Sequence, residues 1–298
     1  MNIVPSSSAE ATIINGNETA AAILGEVRGA VERERITPGL AVVLVGSDPA
    51  SAVYVRNKGN RAKECGFFSR QIDLSADASE SELLRIIDGL NADPAIHGIL
   101  VQFPLPRHIN SQRVIESIDP AKDVDGFHYA NAGRLAIGAI DSALVPCTPL
   151  GVVRLIKQAS GSNLSGKHAV IIGRSNIVGK PLANLLLQES CTVSIVHSKT
   201  LKPEALCRQA DILIAAVGVP KLVKATWVKT GAVVIDVGIN REVNANGNAS
   251  LVGDVDFAEV CAVASAITPV PGGVGPMTIA MLLQNTLDAA RRASRRLK

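Results

Sequence analysis

The sequence predicts an α/β protein of two domains, each a parallel sheet with crossover helices. Apolar runs of strand length alternate with amphipathic helical stretches, the order that lays parallel strands side by side under helices. The alternation stops near residue 147 and starts again, and 298 residues suit two ordinary domains. Hydrophobic residues make up 47% of the chain and aromatic ones only 3%. The core must therefore be aliphatic, as the interior of a parallel sheet covered on both faces is.

Residues 17–35 place Ile23, Val27, Ala30 and Val31 at helical spacing, and Thr37-Pro38-Gly39 stops the helix. Residues 40–45 are continuously apolar, a buried strand closed by the turn Gly46-Ser47-Asp48-Pro49. A second helix covers about 51–65 and ends at Gly66. Ser79-Glu80-Ser81-Glu82 reads as a capping box opening a helix through Leu90, and 98–102 is another short buried strand. From Thr148-Pro149 a helix runs to about Lys157, followed by a polar connection over 160–166. Strands follow at 168–172, 192–196, 212–217 and 233–237, with helices between the first three. The last helix, roughly 276–296, carries Ile279, Leu282, Leu283 and Leu287 on one face. No strand follows it in the second sheet, so it is expected to return to the first domain. The expected division is 1–147 plus 270–298 for the first domain and 148–269 for the second.

The formal charge of +3 comes from the end of the chain. Without Arg291, Arg292, Arg295, Arg296 and Lys298 the body carries −2, five below the total. Such a cluster suits a helix C-terminus and is expected to be solvated; without stacking aromatics, a nucleic-acid surface is the poorer reading. The five cysteines, Cys65, Cys147, Cys191, Cys207 and Cys261, form no C-x-x-C pair and are odd in number. A disulfide framework or a structural zinc site is therefore not expected, and no metal is. No apolar run approaches the length of a membrane span, and the first residues lack a basic stretch followed by an apolar one. A cytoplasmic protein is expected.

In the second half a strand leads into Gly173-Arg174-Ser175-Asn176-Ile177-Val178-Gly179-Lys180-Pro181. Strand, glycine-bearing turn and helix form the Rossmann geometry that sets backbone N–H groups against a pyrophosphate. The spacing is not G-x-G-x-x-G, and Pro181 stands where a Walker loop needs Ser or Thr. On this loop alone an ordinary strand-to-helix turn is an equal reading. After the next strand comes His197-Ser198-Lys199-Thr200, without the carboxylate that binds a ribose 2′-hydroxyl in NAD sites. Arg174 and Ser198 are suited to a 2′-phosphate, which favours NADP.

In the first half Tyr54 and Lys58, at i and i+4, share a helix face. Gln102 closes a buried strand, and strand carboxyl ends are where open α/β sheets bind ligands. Asp123-Val124-Asp125-Gly126 is a tight acidic turn that lacks the oxygen spacing of a calcium loop. Pro269-Val270-Pro271-Gly272-Gly273-Val274-Gly275-Pro276 suggests backbone packed against a ligand or another domain, or else an elaborate turn into the final helix.

Taken together these segments resemble the bifunctional methylenetetrahydrofolate dehydrogenase/methenyltetrahydrofolate cyclohydrolase family nearly end to end. The resemblance is carried by Pro49-Ala50-Ser51 with Tyr54-Val55-Arg56-Asn57-Lys58, by Val101-Gln102-Phe103-Pro104, and by Lys122-Asp123-Val124-Asp125-Gly126. Pro146-Cys147-Thr148-Pro149, the Gly173 loop, Gly253-Asp254-Val255-Asp256-Phe257 and the Pro271–Thr278 run continue it. It departs from the family pattern at Asn60, where a second lysine is usual, at Gly59 inside the helix, and at Asn15-Gly16.

The resemblance implies a folate-binding catalytic domain and an NADP-binding domain. It implies oxidation of 5,10-methylenetetrahydrofolate with NADP and hydrolysis of the methenyl product to 10-formyltetrahydrofolate, by a homodimer. Lys58 would move the protons of hydrolysis. A free lysine titrates near ~10.4, so that task requires a lower value. Gln102 would orient the amine, Tyr54 would stack on the folate ring, and Asp125 would accept paired N–H donors from the aminopyrimidine edge. Pro269, Gly272 and Gly273 would line the folate slot. Gly173, Arg174, Ser175, Val178, Gly179, Ser198 and Ile239 would hold NADP. The alternatives are an NADP dehydrogenase of the shikimate dehydrogenase kind and a dinucleotide-binding homologue without catalysis.

Overall fold

The computed structural model describes residues 10–46, 48–243 and 249–296. The chain begins β1 (Thr12–Ile13), α1 (Gly16–Glu34), β2 (Gly39–Val45), α2 (Pro49–Glu64), β3 (Phe68–Leu74), α3 (Glu80–Ala92), β4 (Gly98–Val101), α4 (Ser111–Ser117) and α5 (Tyr129–Ala136). It continues α6 (Cys147–Ser160), β5 (His168–Ile172), α7 (Gly179–Gln188), β6 (Thr192–Val196), α8 (Pro203–Cys207), β7 (Ile212–Ala215) and β8 (Val233–Asp236). Then come β9 (Asn240–Val243), β10 (Ala249–Val252), α9 (Phe257–Cys261), β11 (Ala266–Ile267) and α10 (Val274–Arg296).

Backbone contacts divide the chain into two compact units. One holds Ala20–Cys147 and the described residues from Thr278 on. Its sheet has the order β3-β2-β4, all parallel. The middle strand β2 is buried at all seven positions, because helices cover both of its faces. On one face α3 presents Leu83, Ile87 and Leu90 to Ala41, Val43 and Ile99. Each such buried side chain contributes about 1.5–3 kcal/mol. Helix α3 starts where expected, with the Ser79 hydroxyl accepting from the Glu82 N–H at 3.2 Å.

The final helix belongs to this unit from Thr278 on, with Leu282, Leu283 and Leu287 buried and Ile279 half-buried. A side chain at Gly98 would stand 3.0 Å from Thr286 and 2.7 Å from Val124, so only glycine lets α10 settle on β4. Part of the basic cluster is structural and not simply solvated. Arg291 pairs with Glu34 on α1 and with Asp288, and Arg292 donates to the Ala143 carbonyl at 3.0 Å. Lys298 lies outside the described residues.

The second unit holds Thr148–Met277 and the described residues up to Thr19. Its sheet has the order β1-β11-β8-β7-β5-β6, parallel throughout, and β9 and β10 form a separate antiparallel hairpin. The reversal of strand order beside β5 is the Rossmann topology, whose ligands bind at strand carboxyl ends. The expected domain limits differ from this division at two places, for a shared reason. Strand β1 pairs with β11, and β11 with β8, so residues 10–19 and 270–277 go with the larger sheet.

Candidate active site

Helix α2 and strand β4 bring together the first residues of interest. Pro49 opens α2, a position that needs no N–H donor. One turn separates Tyr54 from Lys58, whose ammonium nitrogen lies 5.4 Å from the tyrosine ring centre, within cation–π range. Lys58 is buried, and its Nζ donates to Gln102 Oε1 at 2.9 Å. Gln102 follows β4 directly. Its backbone N–H still bonds to Val43 and its side-chain Nε2 donates to the Phe103 carbonyl at 2.8 Å, so the amide oxygen is fixed toward the lysine. The Phe103–Pro104 peptide is cis. Burial raises the Tyr54 phenol above its ordinary pKa, which keeps it neutral.

The run Lys122–Gly126 divides three tasks among its charged residues. Lys122 Nζ donates to the carbonyls of Leu90, Asn91 and Asp93 at 2.7–3.0 Å, closing the C-terminus of α3. Asp123 is buried and accepts from the N–H groups of Phe127 and His128 and from Asn131 Nδ2 at 2.9–3.2 Å. Burial outweighs those donors and pushes its carboxyl up to about 7. The third, Asp125, is set apart from both. Burial raises its pKa, while the Lys58 charge and the Cys147 thiol oppose the rise.

Cys147 and Asn285 are neighbours that sequence reasoning missed as parts of this cluster. The Cys147 thiol donates to the Val124 carbonyl at 3.3 Å and lies 3.9 Å from Asp125 Oδ1. Although Cys147 is the first residue of α6, burial and the two aspartates raise its thiol well above the usual range, so it is a neutral donor. Asn285 on α10 donates to the Val124 and Val145 carbonyls, each at 2.8 Å, bracing the turn that bears Asp125. The motif Pro146-Cys147 was visible; its link to Asn285, 138 residues on, was not.

In the larger unit the loop after β5 is shaped by its glycines. Gly173 has φ +119°, and a Cβ there would lie 2.2 Å from the Ala216 carbonyl oxygen. A Cβ at Gly179 would lie 2.3 Å from the Gly173 carbonyl oxygen. The Ser175 hydroxyl accepts from the Val178 N–H at 3.1 Å and faces that of Gly179 at 3.4 Å, holding the loop over the first turn of α7. Arg174 and Ser198 are exposed, and no described side chain pairs with either. A bare glycine-formed loop with two unpaired donors fits a phosphate-bearing cofactor. Ile239 follows Gly238 beyond β8 and is 53% exposed, an apolar side chain facing outward.

The Pro269–Pro276 segment packs on backbone of its own unit. A Cβ at Gly16 would lie 1.7 Å from the Gly273 carbonyl oxygen, and one at Gly273 would lie 2.5 Å from that of Pro269. Gly272 takes φ +100°, beside the Asn17 side chain. Asn15, in place of the usual aspartate, still accepts from the Asn17 N–H at 3.1 Å at the start of α1.

A dinucleotide-type sheet and a separate unit bearing a lysine–glutamine pair at a strand end suit a dehydrogenase with a second, proton-moving function. The chain belongs to the tetrahydrofolate dehydrogenase/cyclohydrolase family. The model of that family's catalytic domain matches residues 14–125, and the model of its NAD(P)-binding domain matches residues 146–294. A bifunctional protein FolD from Sinorhizobium fredii is 57% identical over 287 residues, 95% of this chain and 94% of that protein. The FolD crystal structure from Campylobacter jejuni is 47% identical with a TM-score of 0.89, covering 94% of this chain and 99% of its own. The Trypanosoma brucei FolD, complexed with NADP cofactor and inhibitor, is 40% identical with a TM-score of 0.90, covering 96% and 99%. A shikimate dehydrogenase from Aquifex aeolicus shares the fold alone, at 12% identity and a TM-score of 0.52.

Proposed function

We propose that this chain oxidises 5,10-methylenetetrahydrofolate with NADP and then hydrolyses the methenyl product to 10-formyltetrahydrofolate. The observation that carries the reading is the buried Lys58 amine held at 2.9 Å by Gln102, in a chain of this family. When bound, NADP accepts the hydride; the residues suited to hold it are Gly173, Arg174, Ser175, Val178, Gly179, Ser198 and Ile239.

The chain's own side chains serve the hydrolysis. Attack of water on the methenyl carbon releases a proton, opening of the ring requires one at the leaving nitrogen, and the carbinol hydroxyl gives up its own proton to solvent as the formyl group forms. Lys58 takes the first as the free amine and, once protonated, supplies the second, a service that contributes about 10²–10⁴-fold. Gln102 keeps the amine aimed without placing a carboxylate beside it. Tyr54 provides a ring face for the folate, and Asp125 accepts two N–H donors from the aminopyrimidine edge in a geometry a carboxylate matches. In this reading the unit around Lys58 binds folate and the unit around Gly173 binds NADP.

The finer assignments follow from the same reading. A homodimer is supported by β6, which lies at the sheet edge with Ile195 exposed on it and Leu187 and Leu201 exposed on its flanks. A reducing, cytoplasmic setting is supported by five free cysteines, four of them buried. The product is a one-carbon donor of the kind purine synthesis consumes.

The test is turnover of 5,10-methylenetetrahydrofolate by the purified protein with NADP⁺ or NAD⁺. NADPH formation faster than NADH formation is the expected result. No turnover with either cofactor would remove the folate reading.

A further inference from the structure

We infer that Asp236 and Asp254, which no step above uses, are positioning residues for the dinucleotide half of the reaction. They hold the loops after β7 and β8 in register with the phosphate loop. The inference rests on the proposed cofactor site at Gly173.

The connection can be followed bond by bond. Gly173 lies so close to Ala216 that a Cβ would stand 2.2 Å from its carbonyl oxygen. The next two N–H groups, of Val217 and Gly218, both donate to Asp254 Oδ2, at 2.7 and 2.9 Å. Asp254 Oδ1 accepts from Asn240 Nδ2 at 2.8 Å. The Asp254 N–H in turn donates to Asp236 Oδ1 at 2.9 Å, and that oxygen also accepts from the Gly238 N–H at 2.9 Å. Asp236 Oδ2 accepts from the Val255 N–H at 2.9 Å. The backbone N–H of Asp236 donates to Thr268 Oγ1 at 2.7 Å.

The arrangement is built for these carboxylates. A Cβ at Gly238 would lie 2.2 Å from Asp254 Oδ1, and one at Gly253 would lie 1.8 Å from Asp236 Oδ2. Both aspartates are buried, so every lone pair they use is satisfied by protein. Neither reaches solvent, and neither is placed to touch a reacting atom. What they fix is the backbone at the carboxyl ends of β7 and β8, where a Rossmann sheet meets its dinucleotide. Ile239, one of the residues suited to hold NADP, follows directly on the Gly238 N–H that Asp236 holds.

The test compares Asp254→Ala and Asp254→Asn with wild type in two assays: KM for NADP⁺ in the dehydrogenase step, and hydrolysis of preformed methenyltetrahydrofolate without cofactor. In Asp254→Ala the KM for NADP⁺ is expected to rise about tenfold or more, as loss of charge-assisted bonds to two loops implies. Cofactor-free hydrolysis should stay near the wild-type rate. An amide at 254 can still accept from Val217 and Gly218 and can donate to a turned Asn240 amide. Asp254→Asn should therefore restore most of the cofactor affinity, and if the alanine variant does not fold it carries the test alone through a smaller rise in KM at unchanged hydrolysis. An unchanged KM for NADP⁺, or hydrolysis falling in step with the dehydrogenase, would overturn the inference. Absence of NADP⁺ turnover in the wild type would instead remove the cofactor reading on which it rests.

Discussion

Lys58 and Gln102 were legible because each sits at a position that local rules single out. One lies a helical turn from Tyr54 and the other at the carboxyl end of a buried strand. Cys147, Asn285, Asp236 and Asp254 were not, since apart from Gly238 beside Asp236 the partners that tie them in lie 14–161 residues away, and no local period records such contacts. Gly59 offers a test of α2 itself. A Cβ there would meet only the Ser69 hydroxyl, at an ordinary 3.6 Å. Gly59→Ala should then stabilise the protein by about 1 kcal/mol, raising its melting temperature by about 2–4 °C. Calorimetry checks this, and a lower melting temperature would mean that the helix needs the glycine for another reason.

Helices and strands with a clean apolar pattern, such as β2, α3 and β5, could be read directly, and those without one could not. Strand β3 was missed because it is an edge strand, only partly buried, with the sequence Phe-Ser-Arg-Gln-Ile-Asp-Leu. Its identity comes from pairing with β2, a tertiary choice that overrides its polar composition. The short helices α4 and α5 were missed as well, although Asn110 and His128 cap them through their side chains. Strands β1 and β11 have two residues each, too few for any period. The Lys122–Gly126 run was legible as an acidic turn and a family motif bearing Asp125, but not the task of its lysine, which closes a helix 29–32 residues earlier. Lys122→Met should release three carbonyls at the end of α3 and destabilise the protein by about 1.5–3 kcal/mol. Chemical denaturation would show it as a lower midpoint at unchanged slope, and an unchanged midpoint would refute the capping role.

The alternation of elements made the two-domain α/β architecture and the return of the last helix legible, whereas the division points depended on which strands pair across the whole chain. Stability as a function of pH also belongs to the folded chain as a unit. The Asp123 carboxyl is raised from 3.8 to about 7 and that of Asp236 to about 6, so the native state holds protons that the unfolded chain releases. Their contribution is fully present below the unfolded value and is lost as pH rises through about 6–7. His97 and His128, lowered by burial, act oppositely, adding stability as pH rises through their range. The aspartate effect is isolated by Asp123→Asn, whose stability deficit against wild type should narrow between pH 5 and pH 8. A deficit that widens over this range would contradict the assignment. The separation of oxidation from hydrolysis is tested by Lys58→Met, following NADPH and methenyl absorbance together from 5,10-methylenetetrahydrofolate and NADP⁺. The expected result is continued NADPH formation with methenyl product accumulating, its hydrolysis slowed by about 10²-fold or more. Hydrolysis at the wild-type rate in a folded variant, or equal loss of both steps, would contradict the role given to Lys58.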